Sequence, residues 1–154
     1  MANLRVEELV PGVSCEQVWA TIVRIDAYPA FMDQVVAVEV LHGGRGQDGV
    51  ERESAWTALF NGNELRWTQR DRTDGANHTL YFEQIEGDLA VWRGSTKVAP
   101  VSGGACVVYE IEFDLGVPAL AHLLHPLAER AIRANCEQML SALAGETSRA
   151  GAPA

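Results

Sequence analysis

The sequence predicts an α+β fold: one strand, two short helices, six antiparallel strands and a long C-terminal helix. Three observations predict it. A capping serine follows the first apolar strand at once, turn signals recur at short intervals from residue 43 to residue 104, and helical periodicity returns only after Pro118.

Residues 4–10 (LRVEELV) read as the first strand, closed by Pro11-Gly12. Ser14 is placed to cap a helix over 15–24 whose apolar stripe is Val18, Trp19, Ile22 and Val23. DAYPAFM, 26–32, is too short for a full helix and reads as a second, kinked helical turn. Strands are expected at about 34–42, 50–60, 63–73, 77–85, 88–99 and 105–115, separated by GGRGQDG, NG, DG, EGD and PVSGG. From Pro118 to about Ala144, Leu120, Leu123, Leu124, Leu127, Ala131, Met139 and Leu143 recur at helical spacing, with a break before Pro126. Such a helix lies across a curved sheet and leaves a space between them, to be filled by a ligand or by core. The expected organisation is a single domain over 1–145 and a frayed tail over 146–154.

A chain of 154 residues, 47% hydrophobic, is long enough to bury roughly 70% of its unfolded surface without staples. Three widely spaced cysteines without a CxxC argue against a disulfide framework or structural zinc, and a cytoplasmic location is expected. The charged start MANLRVEELV lacks the apolar region of a signal peptide, and no run of eighteen apolar residues predicts membrane insertion. A net charge of -9, with twelve scattered Lys and Arg, argues against a nucleic-acid partner.

Several motifs resolve into bland readings. Residues 44–49 match GxGxxG but lead into a strand instead of opening a helix, so they read as a hairpin loop. His122, His125 and Cys136 lack the further ligand a metal needs, so neither metal nor cofactor is expected. No GxSxG elbow is present, and neither Cys106 nor Cys136 carries a nucleophile signature.

The hairpin turns set a register, and the register sorts side chains by face. Asn61-Gly62 as a two-residue turn puts Trp56 opposite Trp67, Ser54 opposite Gln69 and Arg52 opposite Asp71. Asp74-Gly75, read the same way, puts Asp71 opposite His78, Gln69 opposite Leu80, Trp67 opposite Phe82 and, on the outer face, Arg66 opposite Glu83. A three-residue loop at Glu86-Gly87-Asp88 sets Phe82 with Trp92 and His78 with Thr96. A four-residue loop over 101–104 sets Thr96 with Tyr109 and Trp92 with Phe113. Two rows then cross the inner face. The aromatic row, Trp56, Trp67, Phe82, Trp92 and Phe113, is either core or a flat wall for a ligand. The polar row, Arg52, Asp71, His78, Thr96 and Tyr109, is either an ordinary rim or a proton-transfer site. In the second case Asp71 orients His78 as base, Arg52 and Tyr109 steady an enolate oxygen, and Thr96 fixes the carbonyl.

Taken together, RIDAYPAFM, ELRWTQRD, FEQIEGDLAVWRG, VVYEIEFDLGVP and AERAIRANCEQML resemble the START/Bet v1-like superfamily, in its polyketide aromatase/cyclase and coenzyme Q-binding branch. The resemblance spans nearly the whole chain. It implies a helix-grip fold, a seven-stranded curved antiparallel sheet around the C-terminal helix, with a deep cavity for an apolar ligand. It carries two cavity aromatics over to Tyr28 and Trp67, and it departs at two positions: the arginine four residues after that tryptophan is Asp71, and the tryptophan of the later strand is Thr96. Arg52 then offers a guanidinium from the neighbouring strand. Three functions stay open: a cofactor-free polyketide cyclase, a carrier or chaperone for a quinone or lipid, and an interaction module with a filled core. The expected partner is a hydrophobic small molecule, either free or a polyketide tethered to a carrier protein, and the protein itself a monomer or homodimer.

Overall fold

The computed structural model describes residues 2–30, 32–44, 47–60 and 62–116, together with eight helical residues between Pro126 and Ser141. Within it, one antiparallel sheet of seven strands has the order β1-β7-β6-β5-β4-β3-β2. β2 (Val35–His42), β3 (Glu51–Phe60), β4 (Asn63–Asp74), β5 (Thr79–Gly87), β6 (Val91–Val101) and β7 (Gly104–Asp114) form a meander, and β1 (Ala2–Pro11) closes on β7 with Leu4 opposite Ile111 and Val6 opposite Tyr109. Sheets of this length coil, and bulges at Val35/Ala37, Val40/His42 and Thr68/Gln69 add bend where the meander turns back over its core.

Between β1 and β2 lie helix α1 (Cys15–Ile22) and a 3-10 helix (Ile25–Ala30). α1 begins as its sequence expects. The Ser14 hydroxyl accepts the Gln17 N–H at 3.2 Å, and the Gln17 side chain accepts the Ser14 N–H at 3.1 Å, a reciprocal capping box. Val18 and Ile22 from α1 and Ile25 from the 3-10 helix are buried against the sheet. The C-terminal helical residues include Arg133, whose Nη1 donates to the Arg5 carbonyl at 3.2 Å and so brings that segment to β1. The rest of the helix expected over 118–144, and with it His122, His125 and Cys136, lies outside the described residues.

Alternation along the strands puts Leu4, Val6, Val10, Trp56, Ala58, Trp67, Leu80, Phe82, Trp92, Val98, Val107, Ile111 and Phe113 in one buried core. One glycine in this face is a steric necessity. A Cβ on Gly94 would fall 1.9 Å from the Glu110 carbonyl oxygen, so β6 and β7 pair this closely only with glycine there.

The registers agree with expectation at two hairpins and depart at two. β3–β4 pairs Trp56 with Trp67, Ser54 with Gln69 and Arg52 with Asp71; β6–β7 pairs Thr96 with Tyr109 and Trp92 with Phe113, its loop being two residues, Ser102-Gly103, instead of four. At β4–β5 the loop has four residues, 75–78, instead of two, because Asp74 acts as a side-chain cap and not as a turn residue. Its carboxylate accepts from the Asn77 N–H at 3.3 Å and from Asn77 Nδ2 at 2.8 Å, and Asp48 reaches over to accept the Gly75 N–H at 2.6 Å. Asp71 therefore faces Phe82 and not His78, Gln69 faces Gln84 and not Leu80, Trp67 faces Gly87 and not Phe82, and Glu83 faces Arg70 and not Arg66. At β5–β6 the connection moves on to residues 88–90, so Phe82 faces Gly94 and not Trp92, and Thr96 faces Leu80 and not His78. Phe82 slips by four residues against β4 and by two against β6, both even, which is why it keeps its inward face although its partners change; past the bulge at Thr68/Gln69 the β4–β5 slip is five.

Candidate functional site

The inner face is walled by rings. Tyr28 meets Trp56 edge-on at 5.8 Å, Trp56 stacks on Trp67 at 5.8 Å and 10°, and Trp67 tilts toward Trp92 at 5.8 Å. Phe82 continues the series to Trp92 at 6.4 Å and stacks on Tyr109 at 5.6 Å. Two polar inward residues answer the indole N–H groups: Trp56 Nε1 donates to Ser54 Oγ at 2.8 Å and Trp67 Nε1 to Gln69 Oε1 at 3.0 Å. Ser54 and Gln69 thus position tryptophans and leave the ring faces apolar. Phe113 is fully buried opposite Trp92 and belongs to the core beneath that wall.

At the centre lies an ion pair. Arg52 Nε donates to both Asp71 oxygens, at 2.9 and 3.1 Å, with side chains 1% and 0% exposed. Arg52 Nη1 donates to the Val23 carbonyl at 2.9 Å, fastening the sheet to the C-cap of α1. Its Nη2 is buried and without a partner, as are Thr73 Oγ1 and Gln84 Oε1. Buried donors and acceptors of this kind carry a desolvation cost that a bound polar group offsets. Burial holds the Asp71 carboxyl above its usual range, against the opposing pull of Arg52. Burial likewise pushes the Tyr28 phenol well up, and its hydroxyl donates to the Ile22 carbonyl, so Tyr28 is a neutral wall and not an acid.

Of the expected polar row, Arg52 and Asp71 pair across β3–β4 and Thr96 and Tyr109 across β6–β7, all on the inner face, but the slipped registers split the row: Asp71 leads across to Phe82 and Gly94, and Thr96 to Leu80 and Thr73. His78 belongs to neither pair. It ends the β4–β5 loop in the left-handed region (φ 46°), with Nδ1 3.2 Å from Cys15 Sγ and Nε2 2.8 Å from Glu16 Oε1. An imidazole held there has no carboxylate partner in Asp71. Thr73 and Gln84 were missed as inward polar groups. Both were legible by alternation, Thr73 lying two residues beyond Asp71 and Gln84 two residues beyond Phe82 on the same strand faces. Among the described residues no group of three or more His, Cys, Asp or Glu side chains is arranged to hold a metal ion.

The opposite face carries a different concavity, an open trough of about 710 Å³ with Arg70, Arg72, Tyr81, Arg93, Glu110 and Glu112 in its lining. Its charges pair with one another, as in Arg93 to Glu112 at 2.8 Å, and it lacks the continuous ring surface of the inner face.

A family model described as polyketide cyclase / dehydrase and lipid transport matches residues 11–140. The chain belongs to this family. Solved structures, one of them a START superfamily protein, share the fold of this polyketide cyclase / dehydrase family member. The protein TTHA0849 from Thermus thermophilus is 24% identical with a TM-score of 0.87, over 98% of this chain and 100% of that one. The Zhui aromatase/cyclase from Streptomyces sp. R1128 is 17% identical with a TM-score of 0.80, over 99% and 100%. A START superfamily protein from Mycobacterium smegmatis is 15% identical with a TM-score of 0.73, over 97% of each chain. No curated protein matches the sequence. Among the described residues of the family member no helix is long and apolar enough to cross a membrane.

Proposed function

We propose that the protein is a cofactor-independent polyketide cyclase that folds a reactive polyketide, free or tethered to a carrier protein, against its tryptophan wall in the cytoplasm. The observation that carries this reading is the buried Arg52–Asp71 pair with Arg52 Nη2 unspent, set into an aromatic face. In this reading the substrate carbonyl accepts from Arg52 Nη2, and the hydroxyls of Thr96 and Tyr109 line the same face. Asp71, its carboxyl raised by burial, is a stronger base than a solvated carboxylate and takes the proton alpha to that carbonyl. The guanidinium beside it steadies the enolate oxygen that forms. The rings hold the chain folded so that the carbanion carbon meets a second carbonyl, which supplies much of the rate through proximity. His78, drawn away to Cys15 and Glu16, has no part in these steps.

A carrier of quinones or other hydrophobic small molecules is the second reading. It is favoured by the indole N–H groups being already satisfied by Ser54 and Gln69, which leaves ring faces suited to holding an apolar molecule unchanged. Incubation with a poly-β-ketone N-acetylcysteamine thioester separates the two. A cyclase changes the rate and the distribution of ring products relative to buffer; a carrier quenches tryptophan emission saturably and returns the molecule unaltered.

A further inference from the structure

Cys15, His78 and Glu16 form a chain of contacts outside the polar row. Cys15 Sγ lies 3.2 Å from His78 Nδ1, and His78 Nε2 lies 2.8 Å from Glu16 Oε1. Both contacts are satisfied when the thiol donates to Nδ1 and Nε2–H donates to the carboxylate; the Val98 carbonyl, 3.7 Å from Sγ, is the thiol's other acceptor. The trio places a nucleophile within reach of a base whose other nitrogen is oriented by an acid, the arrangement that activates thiols and hydroxyls for attack on carbonyl carbon. The imidazole is held from two further sides. The Trp19 ring leans on it at 5.5 Å, and the His78 backbone occupies the left-handed region, which a histidine adopts at some cost.

The thiol also stands in the first turn of α1, whose Cys15 and Glu16 N–H groups have no acceptor within the helix. The Ser14 hydroxyl is engaged with the Gln17 N–H, so those two donors are left for another acceptor. Cys15 and His78 are half-buried and Glu16 is exposed, so a carbonyl carbon can approach from solvent. Burial, with Glu16 adding to it, holds the Cys15 thiol above its ordinary range, so the resting sulfur is a thiol and attack requires a base.

The geometry points to an acyl-transfer site in which Cys15 is the nucleophile, His78 the general base, Glu16 the positioning residue and a thioester the substrate. In the step, the Cys15 S–H proton passes to His78 Nδ1 while Sγ bonds the acyl carbon. The carbon–sulfur bond of the incoming thioester then breaks, and its departing thiolate takes the proton from His78. The products are acyl-Cys15 and a free thiol, and no oxidant or other reactant is consumed.

The test uses the full chain with p-nitrophenyl acetate and with the acetyl thioester of N-acetylcysteamine, acylated residues being mapped by peptide mass spectrometry. Cys106, a half-buried thiol on β7 with no imidazole contact among the described residues, is the internal standard. The expected result is a burst of about one p-nitrophenol per chain, with Cys15 acylated at least about tenfold faster than Cys106, and loss of the burst in Cys15→Ser. His78→Asn keeps a residue tolerant of the left-handed backbone and should slow acylation of Cys15 about 10²-fold or more. Glu16→Gln should slow it less and move its pH profile toward lower pH, because the carboxylate that helps raise the Cys15 thiol is gone, which a purely structural role would not do. Equal acylation of Cys15 and Cys106, or an unchanged Cys15 rate in His78→Asn, overturns the assignment.

Discussion

Arg52 and Asp71 are the residues on which the site turns, because each is tolerable in the interior only with the other. Removing one partner of a buried pair leaves an uncompensated charge, so Arg52→Met should lower unfolding free energy by about 3–5 kcal/mol, whereas Arg52→Met with Asp71→Leu should recover most of the loss. Chemical denaturation of the three variants checks this. The raised Asp71 carboxyl has a consequence for pH. The folded state holds the Asp71 proton more tightly than the unfolded chain does, so the group's contribution to stability is greatest below the ordinary aspartate value of 3.8 and declines as pH rises through the folded value. Asp71→Asn removes that decline, and unfolding curves from about pH 3 upward should show the wild type losing ground to the variant across that window. Trp67→Ala, by contrast, removes a wall with its hydrogen bond already internal to β4. It should weaken binding of a flat ligand by about 1–3 kcal/mol, read by titration of the remaining indole emission.

At the scale of elements, the legible parts of the fold were those in which local chemistry decides alone. Ser14 and Gln17 announce α1, and Asn61-Gly62 has no competing reading, so β3–β4 came out in register together with the Arg52–Asp71 pair. Asp74-Gly75 does have a competing reading. An aspartate can occupy a tight turn or accept amides three residues on, and here Asn77 and the distant Asp48 select the second, a contact invisible to local inspection. His78 was misplaced for the same reason. Its partners, Cys15 and Glu16, lie more than sixty residues away in sequence, with no periodicity to announce them. Two measurements address these elements. Ser14→Ala should cost about 0.5–2 kcal/mol through loss of the cap. Gly94→Ala forces a methyl group against the Glu110 carbonyl and should cost about 1–3 kcal/mol, with hydrogen exchange accelerated in β6 and β7 relative to β3.

Across the whole molecule, a single coiled sheet divides two environments. Outward residues form paired charges over a shallow trough; inward residues form a continuous ring surface around one buried, incompletely satisfied ion pair. Fold order could be read from turn spacing because a meander needs only local connections. The chemistry could be read only in part, because it depends on which residues the registers bring side by side. The central claim is that the Arg52–Asp71 pair is the reacting centre of a cyclase. It is tested most directly by comparing wild type with Asp71→Asn for cyclisation of a poly-β-ketone thioester and, on the same samples, for affinity toward a non-reactive flat analogue. Asp71 acting as base predicts turnover lower by about 10²- to 10⁴-fold with affinity nearly unchanged. Turnover equal to wild type, with the fold and affinity intact, would contradict it.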